Sequence, residues 1–110
     1  MKDWATEQFE RAGLKFHQGK PKGEYPLNDL LKLLKHLGLE VRQQQGSHNV
    51  VYHPGLRHWA RSREGTFSVV RKHPGSKDRP MTLAIYVKIA LEAVIFLKQN
   101  GYIGNDQADN

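Results

Sequence analysis

A change of period at Gly38 constrains this chain more than any other feature. Before it, Leu30, Leu31, Leu34 and Leu37 recur at helical spacing, and Leu33 widens the apolar face. After it, Leu39, Val41 and Gln43 alternate with Glu40, Arg42 and Gln44, the two-residue period of a half-buried strand. No single element satisfies both periods, so a helix must stop and a strand begin here. Glycine suits the left-handed residue that closes a helix, and Asn28 offers a side-chain oxygen to an unpaired amide of its first turn. The spacing predicts a helix over about residues 29 to 37.

Further along, Gln45-Gly46-Ser47 supplies turn chemistry, and Asn49 to His53 reads as the returning strand. Pro54-Gly55 ends that strand, a basic connection runs from 56 to 65, and Thr66 to Lys72 forms a third strand stopped by His73-Pro74-Gly75. Thr82 then caps a long helix reaching about Gln99. One side of it carries Leu83, Tyr86, Val87, Ala90, Leu91 and Val94; Ile85, Ile89 and Phe96 fall on another. A helix apolar on two sides is covered from two directions. The second cover is either the N-terminal segment or another copy of the chain, a homodimer through this C-terminal helix.

These elements predict an α+β fold: a helix, a three-stranded antiparallel meander and a helix, with both helices on one face. That α-β-β-β-α arrangement is double-stranded-RNA-binding-like. At 110 residues the chain is sized for one domain. Residues 25–104 form that domain and 105–110 a flexible polar tail. Residues 1–24 form an N-terminal extension, where Trp4 to Ala12 is helix-compatible but Gly13, Gly19, Pro21 and Gly23 predict an extended or partly mobile lead-in, unless Trp4 and Phe9 anchor it onto the domain.

Composition narrows the function. The absence of cysteine excludes disulfides and thiolate metal sites. Met1 to Glu10 lacks the apolar run of a signal peptide, and Leu83 to Leu97 is interrupted by Lys88 and Glu92 and too short to span a bilayer. A cytoplasmic protein without a membrane partner is expected. Net charge is +6, and residues 42 to 80 alone hold eight basic residues against Glu64 and Asp78, a surplus equal to that of the whole chain. Localised positive charge suits a polyanion such as RNA, because neutralised phosphates release condensed counterions.

The run from Leu30 to His48, closing on Gly46-Ser47-His48, resembles the opening of the HicA toxin family of mRNA interferases, as do Val50-Val51-Tyr52-His53-Pro54, His73 and Thr82-Leu83. The likeness covers about residues 27–97. It implies a toxin of a type II toxin–antitoxin system: a metal-independent endoribonuclease, without cofactor, acting on mRNA and paired with a HicB-like antitoxin. It also implies that His48 is catalytic and Gly46 the turn glycine. The chain departs from the pattern in residues 1–24, in an insertion from Leu56 to Gly65, in a longer last helix, and in Leu39 where an aromatic residue usually follows the glycine.

The residues support this chemistry independently. RNA carries its own nucleophile, the 2′-hydroxyl, so proton transfer and charge neutralisation suffice to cut it. Histidine titrates near neutrality and suits the first task. Gly46 permits a tight turn and close approach of a ribose-phosphate backbone. Ser47 either holds a phosphate oxygen or stabilises the turn. Arg42, Arg71 and Lys72 are candidates to stabilise charge on the phosphate, and His73 is a candidate second acid or base. Trp59, interleaved with Arg57, Arg61 and Arg63, either stacks on an unpaired base or packs over the sheet edge. His48, His53 and His58 do not suggest a metal site: positions 48 and 53 point to opposite faces of a strand, and no acidic residue accompanies them. Two alternatives remain: a non-catalytic RNA-binding module on the same fold, and a protein-interaction subunit whose basic face docks an acidic partner.

Overall fold

The helix and strand predicted on either side of Gly38 are both present in the computed structural model, which describes residues 3–44, 46–73 and 75–104. Among these residues the elements run α1 (Trp4–Arg11), β1 (Glu24–Pro26), α2 (Leu27–His36), β2 (Glu40–Gln43), β3 (His48–Tyr52), a 3-10 helix (Pro54–His58), β4 (Thr66–Lys72), β5 (Met81–Leu83) and α3 (Ala84–Gln99). Gly38, at φ +102, takes the left-handed conformation that ends α2. The fold is α+β. The polar tail from 105 lies outside the described residues.

The sheet has five antiparallel strands in the order β1-β5-β4-β3-β2, not three. The expected meander β2-β3-β4 is its larger part. The two added strands are three residues long, too short for a period of two to show. One ends in Pro26, which an edge strand accepts because an unpaired side needs no N–H.

These short strands also change how the helices begin. Asn28 is not the cap of α2; the cap residue is Pro26, without a side-chain hydrogen bond, and the Leu27 amide donates to Pro80 O at 3.0 Å. Nor does Thr82 cap α3. It is fully buried in β5, where its hydroxyl donates to Val70 O at 2.8 Å. The Ala84 amide at the head of α3 instead donates to Gly23 O at 2.9 Å. In both helices a backbone carbonyl from another segment takes the place of the expected side-chain cap.

The core lies between one face of the sheet and the helices. Val51, Phe67 and Val69 project from the sheet, and Leu30, Leu34, Val87 and Val94 meet them from α2 and α3. Of the two expectations for the lead-in, extended or anchored through Trp4 and Phe9, the structure has the anchored one. Helix α1 packs on α3 and α2, with Phe9 fully buried and its ring 6.1 Å from that of Phe16. Asp3 caps α1 by accepting from the Thr6 amide at 2.7 Å. The three glycines that punctuate the lead-in, Gly13, Gly19 and Gly23, all sit at positive φ and make the turns. Helix α1 is thus a second cover for α3. No helix among the described residues is long and apolar enough to cross a membrane.

After β3, His53 caps the 3-10 helix, its Nδ1 accepting from the Gly55 amide at 2.9 Å while its ring stands edge-on to Tyr102 at 6.0 Å. Burial holds its pKa below the ordinary 6.5, and the hydrogen bond needs the same neutral ring.

Two outcomes follow from this packing. Phe9→Ala is expected to lower the unfolding free energy in urea by roughly 3–5 kcal/mol, as for a buried ring; a loss below about 0.5 kcal/mol would place α1 off the core. Because the unfolded chain binds the His53 proton more tightly, this residue's stabilisation is complete above the unfolded value of 6.5 and is lost as pH falls through the lower folded value. His53→Asn keeps an acceptor for the Gly55 amide but does not titrate. The stability gap between wild type and variant should therefore shift in favour of the variant as pH drops from about 8 to 5. A gap constant with pH would contradict this.

Candidate active site

Register determines which residues share a face. In β3, Asn49 and Val51 are buried, while His48, Val50 and Tyr52 alternate to the other side. Cross-strand partners point the same way, and His48 pairs with Val70, Val50 with Arg42 and Ser68, and Tyr52 with Glu40 and Thr66. Lys72 and its partner Met81 belong to the same set. His48, Arg42 and Lys72 thus lie on the sheet face away from the helices, hereafter the open face.

His48 begins β3 and is exposed. The turn before it is closed by the Gln44 amide donating to His48 O at 3.0 Å. Gly46 stands at φ +77 with open space where a Cβ would project, so its backbone conformation, not crowding, calls for glycine. The Ser47 carbonyl accepts from the Arg71 amide at 2.8 Å, which ties this turn to β4.

The cations divide. Arg42 forms a 2.9 Å ion pair with Glu40 on the exposed surface, and Lys72 is paired with Glu24 across the sheet. Both face the same side as His48, already partnered by carboxylates. Arg71 has the opposite parity and turns toward the helices. Its Nη2 donates to Ser76 O at 2.9 Å, and its Nε is buried without a hydrogen-bond partner among the described residues. Arg71, Gly46 and Ser47 share a cleft of about 120 Å³ with Asn28, Gln43 and Asn49, beside the start of α2. The hairpin tip therefore has His48 on one side and Arg71 on the other.

His73 is not brought to His48. It lies past the end of β4 in a left-handed conformation, φ +54, three residues beyond Val70. At about 3.3 Å per residue that is roughly 10 Å along the strand. Trp59 is not brought there either. Its ring packs against Phe67 and Phe96, both at 6.3 Å, on the helix side of the sheet. Of its two expected roles, the structure shows the packing one.

Three neighbours escaped the sequence reading. Gln43 and Asn49 line the small cleft, and Tyr52 shares the open face. The even spacing from His48 to Tyr52 within one strand was the available signal for the last. A wider groove of about 480 Å³ lies between α1 and α2, lined by Gln8, Arg11, Asp29, Lys32 and His36 among others, and holds none of the predicted site residues. Among the described residues no group of three or more His, Cys, Asp or Glu is placed to hold a metal ion.

No curated protein and no solved structure matches the chain significantly. A family model described as the HicA toxin of bacterial toxin–antitoxin systems matches residues 27–86. That span is more than half of the chain, runs from the first residue of α2 into the first turn of α3, and contains the whole hairpin that presents His48. By this match the chain belongs to the HicA toxin family.

Proposed function

We propose that this protein is a metal-independent endoribonuclease toxin that cuts messenger RNA in the cytoplasm, with His48 moving the proton. The observation that carries this reading is the placement of His48: exposed, at the corner of a hairpin, on the sheet face that the helices leave open. Membership of a toxin family supports it. In this reading residues 25–104 carry the activity, and β2-β3-β4 with α2 and α3 serve as the double-stranded-RNA-binding-like unit. A HicB-like antitoxin is the partner that holds the activity in check.

The neutral imidazole of His48 takes the proton from a ribose 2′-hydroxyl. The oxygen so exposed attacks the adjacent phosphorus, the bond from phosphorus to the 5′-oxygen breaks, and the departing oxygen takes a proton from solvent. The products are a 2′,3′-cyclic phosphate and a 5′-hydroxyl end. Gly46 and Ser47 let the backbone approach the turn. Arg71, Lys72 and Arg42 supply positive charge around it, and His73 adds a further contact past the end of β4. Proton transfer by one side chain contributes roughly 10²–10⁴-fold, enough for a slow toxin.

A second reading, a non-catalytic RNA-binding module, is favoured by one specific feature. Arg42 and Lys72, the cations beside His48, are tied to Glu40 and Glu24 and have less charge to lend a reacting phosphate. Arg57, Arg63 and Arg71, further off, have no carboxylate partner among the described residues and remain able to bind a backbone. One experiment separates the two. Purified wild-type and His48→Ala proteins are incubated with a single-stranded message in the presence of a chelator. The nuclease reading predicts fragments with cyclic phosphate ends from the wild type and a rate at least roughly 100-fold lower for the variant. Intact message retained by both proteins would favour the binding module, and equal cutting by both would remove His48 from the mechanism.

A further inference from the structure

The connection between β3 and β4 places an arginine over an aromatic ring at the far end of the open face. Tyr52 lies on the same side as His48 and four residues further along the strand, about 13 Å at the usual rise. The Arg57 guanidinium carbon stands 5.9 Å from the centroid of the Tyr52 ring. Beside both sits Gly65 at φ +87. A Cβ there would come within 3.0 Å of Tyr52 Cε1 and 3.2 Å of Arg57 Cγ, so the ring and the arginine stem occupy space that only glycine leaves. Gly65 thus leaves room for the Tyr52 ring and the Arg57 stem, while Arg57 itself is exposed. Arg57 has no ion pair among the described residues, in contrast to Arg42, Arg61 and Lys72. Exposed Arg63, whose backbone bridges Thr66 opposite Tyr52, is a further cation of this connection; Glu64 beside it and the Arg42-paired Glu40 opposite Tyr52 are acidic.

We propose that the outer face of the Arg57 guanidinium, backed by the Tyr52 ring, is a stacking platform for one unpaired base of single-stranded RNA, a few nucleotides from the bond cut at His48. This rests on the ribonuclease reading above and adds a substrate requirement to it. A planar guanidinium presents a flat π-surface that bases of any identity accept. Bases inside a duplex are stacked on one another and do not offer their faces, so the platform selects single strands. Trp59, the aromatic residue that the sequence offered for this task, is occupied by Phe67 and Phe96 on the other side of the sheet. The insertion supplies the platform through Arg57 instead.

The test uses a short single-stranded RNA with one cleavage site, in which an abasic nucleotide replaces each base in turn. Cleavage is followed as kcat/KM for wild type, Arg57→Ala and Arg57→Lys. The platform predicts one position, on one side of the cut and not adjacent to it, where losing the base slows the wild type roughly 5- to 100-fold. That penalty should vanish in both variants, because lysine keeps the charge but not the plane. Cleavage with no such position, or with a penalty that persists in Arg57→Ala, would overturn the platform and leave the nuclease intact. If Arg57→Lys keeps the wild-type penalty, Arg57 is a simple charge contact and the platform is likewise overturned. No cleavage of the unmodified RNA by the wild type would remove the ribonuclease reading and the platform with it.

Discussion

The pairing of β3 with β4 fixes where His48 points, and the chemistry proposed for His48 depends on that register. Asn49 opposite Val69 and Val51 opposite Phe67 form the buried rows; His48 opposite Val70 and Tyr52 opposite Thr66 form the rows between them. A slip of one residue would send Val51 into water and His48 under the helices. The register resists that slip because Val51 and Val69 are fully buried and the Asn49 side chain donates to Val69 O at 3.3 Å. The buried leucines of α2 therefore matter to the placement of His48: by giving the inner rows something to pack on, they keep the outer rows free.

The hairpin between β2 and β3 is a divider as well as a turn. Its left-handed Gly46 and the Ser47–Arg71 backbone bond anchor the tip to β4. Arg71 then faces the cleft at the start of α2, whereas Lys72, one residue on, faces the open side with His48. Adjacent cations on a strand cannot serve the same point in space. Positive charge therefore lies on both sides of the tip.

The parts of this arrangement that were legible in the sequence are those where a period runs long enough to be read. The α2 leucines, the β2–β3–β4 meander and the long last helix meet that condition, and Gly46-Ser47-His48 is marked by its place between them. The short strands do not meet it. Pro26 and Met81 carry no alternation, and Thr82 looks like a cap until β4 is beside it to claim its hydroxyl. Trp59 was ambiguous for a different reason: an indole ring serves equally on a base or against Phe67, and only the side of the sheet decides. Arg57 and Tyr52 are five residues apart, and nothing local announces that Gly65 leaves room for them to meet.

The central claim is that RNA lies on the open face, across His48, and not against the helices. Titrating a methyl- and histidine-labelled sample with 2′-O-methyl RNA, which lacks the nucleophile and cannot be cut, tests this by NMR. The account predicts shifts of the His48 ring and of the Val50 and Val70 methyl groups, with the Trp59 indole and the Val87 methyl groups unmoved. Shifts confined to Trp59 and the helices, with the His48 ring unchanged at saturation, would contradict it.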